Sequence, residues 1–183
     1  MSCYLRPRLP GASIFFTVVL AERGGDLLLR EVARLRSAVA ATRADRAFGI
    51  DAWVVLPDHL HCVWTLPEGD ADYSVRRGAI KARFSMSLRR AGFTPPPRDP
   101  GLPRRREIGR HGGVNPALRV AKGEAGIWQR RFWEHHIGDD ADFAAHVRYC
   151  WINPVKHGLV ERPQDWPLSS VHRDIAAGRY DGA

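Results

Sequence analysis

Ser13-Ile14-Phe15-Phe16-Thr17-Val18-Val19-Leu20 is an almost unbroken run of β-branched and aromatic residues, and it predicts a buried strand. Glu22-Arg23-Gly24-Gly25 closes the run with turn chemistry, and Asp26 is placed to cap a helix. Leu28, Val32, Leu35 and Val39 then recur at helical spacing with arginines between them. Phe48 to Leu56 predicts a second strand, Pro57-Asp58 a tight turn, and His59 to Leu66 a third strand, so the pair must form an antiparallel hairpin. Pro67-Glu68-Gly69-Asp70 ends the hairpin. A helix from about Asp72 to Arg90 follows, with Ile80, Phe84 and Leu88 on its apolar stripe. Arg76, Arg77, Lys81 and Arg83 lie away from that stripe, as a solvated basic face or as a DNA contact.

Residues 91–126 lose all periodicity. They are rich in proline and glycine, contain Arg104-Arg105-Arg106, and read as a flexible basic insertion. Ile127 to His135 predicts a fourth strand, broken by Gly138. Asp139 and Asp142 form a capping arrangement ahead of a helix that runs to about Asn153, where Pro154 and Gly158 help to stop it. Phe143, Val147, Cys150 and Pro154 share one face of this helix; Asp142, His146, Tyr149 and Asn153 share another. The remainder reads as a tail, packed around Asp165-Trp166-Pro167-Leu168-Ser169-Ser170 and frayed at its end.

The first six elements, strand–helix–strand–strand–helix–strand, give an α+β class with the ferredoxin-like, or split βαβ, order. The expectation is one domain over residues 1–183, interrupted at 91–126. An antiparallel sheet carries two helices on one face, and the tyrosine-bearing helix covers the other, active-site face. Leu60, Cys62, Trp64 and Leu66 would look toward the helix pair, and His59 and His61 away from it.

Composition narrows the partner. The chain has 183 residues, 44% hydrophobic and 26% charged, with a net charge of +8 in which arginine far outnumbers lysine. That balance favours a polyanion, and guanidinium grips phosphate in a bidentate way, which points to nucleic acid. The three cysteines, Cys3, Cys62 and Cys150, form no C-x-x-C pair, so neither a zinc ribbon nor a disulfide framework is indicated and a reducing, cytoplasmic setting is expected. The apolar run Ile14 to Leu20 is too short to span a membrane.

His59 and His61 sit two apart on one strand and so share a sheet face, where two imidazoles can grip a divalent ion; the same pair also reads as two half-exposed strand residues. A metal site needs a further ligand. Asn153, one turn from Tyr149 on the same helix face, supplies an oxygen donor suited to magnesium or manganese, and the ion would then lie beside a phenol able to attack phosphorus. His146, one turn before Tyr149, is a candidate base or a plain polar helix residue. No phosphate-binding Gly-x-x-x-x-Gly-Lys loop is present, so nothing indicates nucleotide hydrolysis as an energy source. An unrelated metal hydrolase on the two histidines, with Tyr149 a bystander, is the competing reading.

Several blocks resemble one family. Ala52-Trp53-Val54-Val55-Leu56-Pro57-Asp58-His59, Trp64-Thr65-Leu66-Pro67-Glu68-Gly69-Asp70, Trp128-Gln129-Arg130-Arg131-Phe132-Trp133-Glu134-His135, His146-Val147-Arg148-Tyr149, Asn153-Pro154-Val155-Lys156-His157-Gly158 and Asp165-Trp166-Pro167 are similar to the REP-associated tyrosine transposases, within the HUH single-strand endonucleases. The resemblance implies a bacterial, nucleoid-associated enzyme that binds single-stranded DNA hairpins made from repetitive extragenic palindromes. It would cleave and rejoin DNA beside them through a covalent phosphotyrosine, as a monomer. A domesticated hairpin-binding protein with little turnover is the alternative. By the match, Tyr149 is the nucleophile, and His59, His61 and Asn153 hold Mg2+ or Mn2+. Arg6, Arg8, Arg130, Arg131, Lys156 and Arg173 are the candidate DNA contacts, each of which reads equally as a surface charge. The chain departs from the family pattern at Arg148, where an aspartate is usual, and at Cys150-Trp151; the 91–126 segment is longer than the family leads one to expect.

Overall fold

The run of apolar residues after Ser13 becomes an inner strand of a four-stranded sheet. In the computed structural model, which describes residues 9–94, 126–129, 132–180 and 182, β1 (Ser13–Val19) pairs antiparallel with β3 (His59–Thr65) on one side and with β4 (Trp133–His136) on the other. β2 (Gly49–Val55) pairs with β3 through the predicted hairpin, with a register irregularity between Ile50 and Ala52. The strand order β2-β3-β1-β4 is that of the split βαβ fold.

Side-chain alternation divides this sheet into two differently employed faces. Ile14, Phe16 and Val18 from β1 and Leu60, Cys62 and Trp64 from β3 join Leu35, Val39, Ile80, Phe84 and Leu88 in the larger core. These last residues come from α2 (Val32–Asp45) and α3 (Tyr73–Arg90). The opposite face presents Phe15, Ala52, Val54 and Val63, and against these α4 (Asp140–Lys156) packs Phe143, Val147, Tyr149 and Cys150. Each fully buried Phe, Leu or Val here contributes roughly 1.5–3 kcal/mol.

Four details differ from the sequence expectation. The first helix is two pieces, α1 (Leu27–Arg30) and α2, and Asp26 stands at the N-cap without a side-chain cap bond because its carboxylate pairs with Arg30 at 2.8 Å. Arg76 is not on a solvated face: it is 2% exposed, donates to both Asp70 oxygens at 3.0 and 2.6 Å, and donates to the Ala47 carbonyl. The stretch from Ile127 to His135 is not one described strand: Trp128 makes an isolated bridge to Leu20, β4 begins at Trp133, and residues 130–131 lie outside the described residues. Finally, α4 continues past Asn153 to Lys156 with Pro154 inside it, and the turn out of the helix comes at Gly158, whose φ is +66°.

The predicted tail lies along β2. Leu168 accepts from the Val55 amide at 2.9 Å, the Ser170 amide donates to the Trp53 carbonyl at 2.7 Å, and the Trp166 indole donates to the Val55 carbonyl at 2.9 Å. α5 (Val171–Ala176) follows, and its Asp174 accepts from the Trp151 indole of α4. Among the described residues no helix is long and apolar enough to cross a membrane. The expected insertion lies mostly at 95–125, outside the described residues.

Candidate functional site

The hairpin carries His59 and His61 onto the face that α4 covers, and both end up buried, at 5% and 4% exposure. Their ring centroids stand 5.1 Å apart. Each ring is fixed through Nδ1: His59 to Asp58 Oδ1 at 2.7 Å, and His61 to the Thr17 hydroxyl at 2.9 Å. Holding Nδ1 in this way orients the ring and leaves Nε2 as its coordinating edge. Asp58 is itself held by the Gly24 amide at 2.9 Å and by Arg23 at 2.7 Å. Burial pushes its carboxyl up, but those bonds and His59 outweigh burial and leave it below the usual range.

Burial also decides the charge of the two rings. His61 is pushed down to about 3, by desolvation first and then by its His59 and His157 neighbours. His59 is lowered for the same leading reason, despite its bond to Asp58. Both are therefore neutral at physiological pH, the form in which an imidazole coordinates a metal.

Helix α4 starts where Asp139 accepts from the Asp142 amide at 2.8 Å, as its sequence predicts. It brings Tyr149 edge-on to His61, with centroids 5.1 Å apart, and edge-on to Phe15 at 5.7 Å. One turn later Asn153 is 1% exposed, and its Oδ1 has no hydrogen-bond partner. A buried amide oxygen with no partner and two neutral imidazoles are donors of the kind a divalent cation accepts, so by donor chemistry these residues fit such an ion. A further turn on, His157 reaches His59, with centroids 5.0 Å apart. A cleft of about 240 Å³ opens there, lined by Arg23, Asp58, His59, His157 and Leu159 among others.

The other predicted residues are less uniformly gathered. Lys156 is exposed, and its Nζ lies 4.9 Å from the Tyr149 ring centroid. Arg173 is occupied elsewhere, donating to the Ile50 carbonyl at 2.8 Å, to the Asp51 carbonyl and to Asp174. Arg6, Arg8, Arg130 and Arg131 lie outside the described residues. His146 turns its Nδ1 to the Asp142 backbone carbonyl at 2.9 Å, with a carboxylate oxygen equally near, and the Asp142 carboxylate also pairs with His135 at 2.7 Å. These three are the one group of His, Cys, Asp or Glu among the described residues whose ligating atoms all lie within 4.8 Å of one another.

Comparison with known proteins decides the family. A REP-associated tyrosine transposase of Escherichia coli (strain K12) is 42% identical over 180 residues, spanning 98% of this chain and 88% of that protein. The chain belongs to the REP-associated tyrosine transposases. A second relative of this transposase, from Haemophilus influenzae, is 39% identical over 180 residues, covering 98% of this chain and 91% of its own. No family model matches the chain. A solved structure described as the REP-associated tyrosine transposase bound to a REP hairpin superposes with a TM-score of 0.74 at 42% identity, covering 98% of this chain and 88% of that one. The fold of the described residues is thus shared with a tyrosine transposase.

Sequence reasoning missed Thr17, which orients His61, and His157, which joins His59. The second was within reach. Tyr149, Asn153 and His157 are successive i, i+4 positions on one helix face, but stopping the helix before Pro154 cut the series short.

Proposed function

We propose that this protein nicks and rejoins single-stranded DNA next to palindromic REP-type hairpins, with Tyr149 as the covalent nucleophile. The observation that carries the reading is the Tyr149 ring held edge-on to the buried His61 imidazole on the face that α4 covers. The hairpin as substrate is supported by the solved relative of 42% identity, which is bound to one.

In this reading His59, His61 and Asn153 hold a divalent cation, Mg2+ or Mn2+, whose role is to polarise the scissile phosphodiester. Thr17 and Asp58 keep the two rings aimed, and the packing of Tyr149 on Phe15 limits its rotation. The Tyr149 hydroxyl gives up its proton as its oxygen attacks phosphorus, the bond from phosphorus to one sugar oxygen breaks, and that sugar oxygen takes up one proton in exchange. A sugar hydroxyl later attacks the phosphotyrosine, restoring a phosphodiester and freeing the phenol. The energy of the first bond is stored in the adduct, so joining needs no nucleotide. In this reading Lys156, whose Nζ lies 4.9 Å from the Tyr149 ring centroid, meets backbone phosphate. Arg6, Arg8, Arg130, Arg131 and Arg173 remain candidate DNA contacts. The enzyme works as a monomer, since tyrosine and histidines meet within one chain, and it acts in the bacterial cytoplasm at the nucleoid.

The test is a denaturing gel of protein with labelled hairpin DNA taken from the flanks of the gene, in magnesium or manganese. A covalent protein–DNA band is expected for the wild type and absent for Tyr149→Phe, for the His59→Ala/His61→Ala double variant and in chelator. Cleavage retained by Tyr149→Phe would remove the tyrosine mechanism. Native-gel binding with no adduct in any metal would leave a hairpin-binding protein.

A further inference from the structure

Trp133 is 55% exposed, the most exposed of the large hydrophobic side chains among the described residues, and it stands on the edge strand β4. Its place in the sheet is specific. Thr17 lies opposite His61 on one side and opposite Trp133 on the other, so the three occupy one cross-strand row. Residues in such a row point to the same face, and two steps across a sheet are roughly 10 Å. The indole therefore stands on the Tyr149 face, one strand beyond the threonine that orients His61.

The indole is backed by a fixed set of rings. Trp133 lies parallel to His135 within 6°, with centroids 5.9 Å apart; His135 is stacked on His146 at 4.7 Å, and His146 lies against Phe15 at 4.7 Å. Asp142 holds both imidazoles: its carboxylate pairs with His135 at 2.7 Å and accepts from the Gly138 amide at 3.0 Å, and its backbone carbonyl pairs with His146 Nδ1 at 2.9 Å, with Oδ1 at the same distance. Those bonds satisfy the three groups without an ion. What they achieve is a rigid platform that ends in a half-exposed indole, on the sheet face of a chain with a net charge of +8.

We propose that Trp133, backed by His135 and His146, is a stacking site for one unpaired nucleobase of the DNA strand whose phosphodiester lies at Tyr149. The inference rests on the DNA-nicking reading above. A planar π face suits any base, and preorganisation of the platform removes the ordering cost a free tryptophan would incur. One stacked base beside the reacting phosphate fixes which linkage is presented to Tyr149.

The experiment measures affinity by fluorescence anisotropy in the Tyr149→Phe background, which prevents strand cleavage. The ligands are a REP-type hairpin with single-stranded flanks, the same hairpin with each flank nucleotide replaced in turn by an abasic one, and unstructured oligothymidine. The parent, Trp133→Ala and Trp133→Phe are compared. One abasic position should weaken the parent by roughly tenfold, have no effect on Trp133→Ala, and keep an intermediate effect on Trp133→Phe. An abasic profile in Trp133→Ala that matches the parent overturns the site. So does a dimer that Trp133→Ala converts to a monomer in sedimentation with DNA affinity unchanged, which would give the indole to a second copy of the chain. A parent that shows no preference for the hairpin but loses roughly tenfold of its oligothymidine affinity on Trp133→Ala would remove the hairpin reading and keep the stacking site. Absence of binding to either ligand removes both.

Discussion

Burial of the His61 imidazole has a measurable cost in acid. An unfolded histidine titrates near 6.5, whereas His61 in the fold is held at about 3. Between those values the unfolded chain binds a proton that the folded chain excludes. The stability contribution is therefore complete above about pH 6.5 and is lost as pH falls toward about 3, and the lowered His59 acts in the same direction. Urea unfolding in chelator, followed from pH 7 to pH 5, should show declining stability for the wild type and a flatter profile for His61→Gln; parallel profiles would contradict the account. The period-2 pattern put these two rings on one face correctly, and the helical stride put Tyr149 on a helix face that meets His61. It could not supply their partners. Thr17 is forty-four residues from His61, and only the register of β1 on β3 joins them. Arg76 was illegible for a related reason: its charge suggested solvent, while its partners Asp70 and the Ala47 carbonyl are set by how α3 docks.

At the scale of elements, α4 is the one on which the site depends. Its N-cap was readable because Asp139 and Asp142 stand three apart ahead of a helical run, and the Asp139 carboxylate does accept from the Asp142 amide. Asp139→Ala should cost about 1 kcal/mol, read as a lower midpoint in thermal unfolding. It should also loosen Asp142, and through it His135 and His146; an unchanged midpoint would mean the cap is not needed. The helix end was less readable. Proline has no amide to donate and disfavours the helical region for the residue before it, which argues for a stop before Pro154. The helix nevertheless runs to Lys156, with Pro154 buried and its carbonyl accepting from the Leu159 amide at 3.0 Å. Tertiary packing overrode the local preference, and His157 was gained by it. Asp26 shows the opposite failure: it occupies the cap position expected of it and makes no side-chain cap bond.

Across the whole molecule, element order alone was enough to give the ferredoxin-like sheet, because a hairpin and two helices between four strands leave few other arrangements. Charge was equally legible. With +8 at neutral pH, affinity for single-stranded DNA should fall linearly with salt on a log–log plot, with a slope near 0.7 for each phosphate neutralised. Lys156→Gln should lower the magnitude of that slope by about 0.7, as read from anisotropy titrations at several salt concentrations. A slope that does not change with this substitution would remove Lys156 from the backbone contacts.

The tail along β2 carries a consequence in time. Trp53 and Ser170 are bonded across 117 residues of sequence, and β4 joins β1 across a comparable distance. At about 5–20 residues per second of synthesis, roughly 6 to 24 s separate the emergence of β2 from that of the segment that covers its edge. During that interval the nascent chain holds β1, β2 and β3 while neither border of the sheet has its final neighbour. Unpaired strand borders are templates for other chains. The growing chain is therefore most prone to self-association before Trp133–His136 and the segment 168–170 have been made, because these supply the final neighbours of β1 and β2.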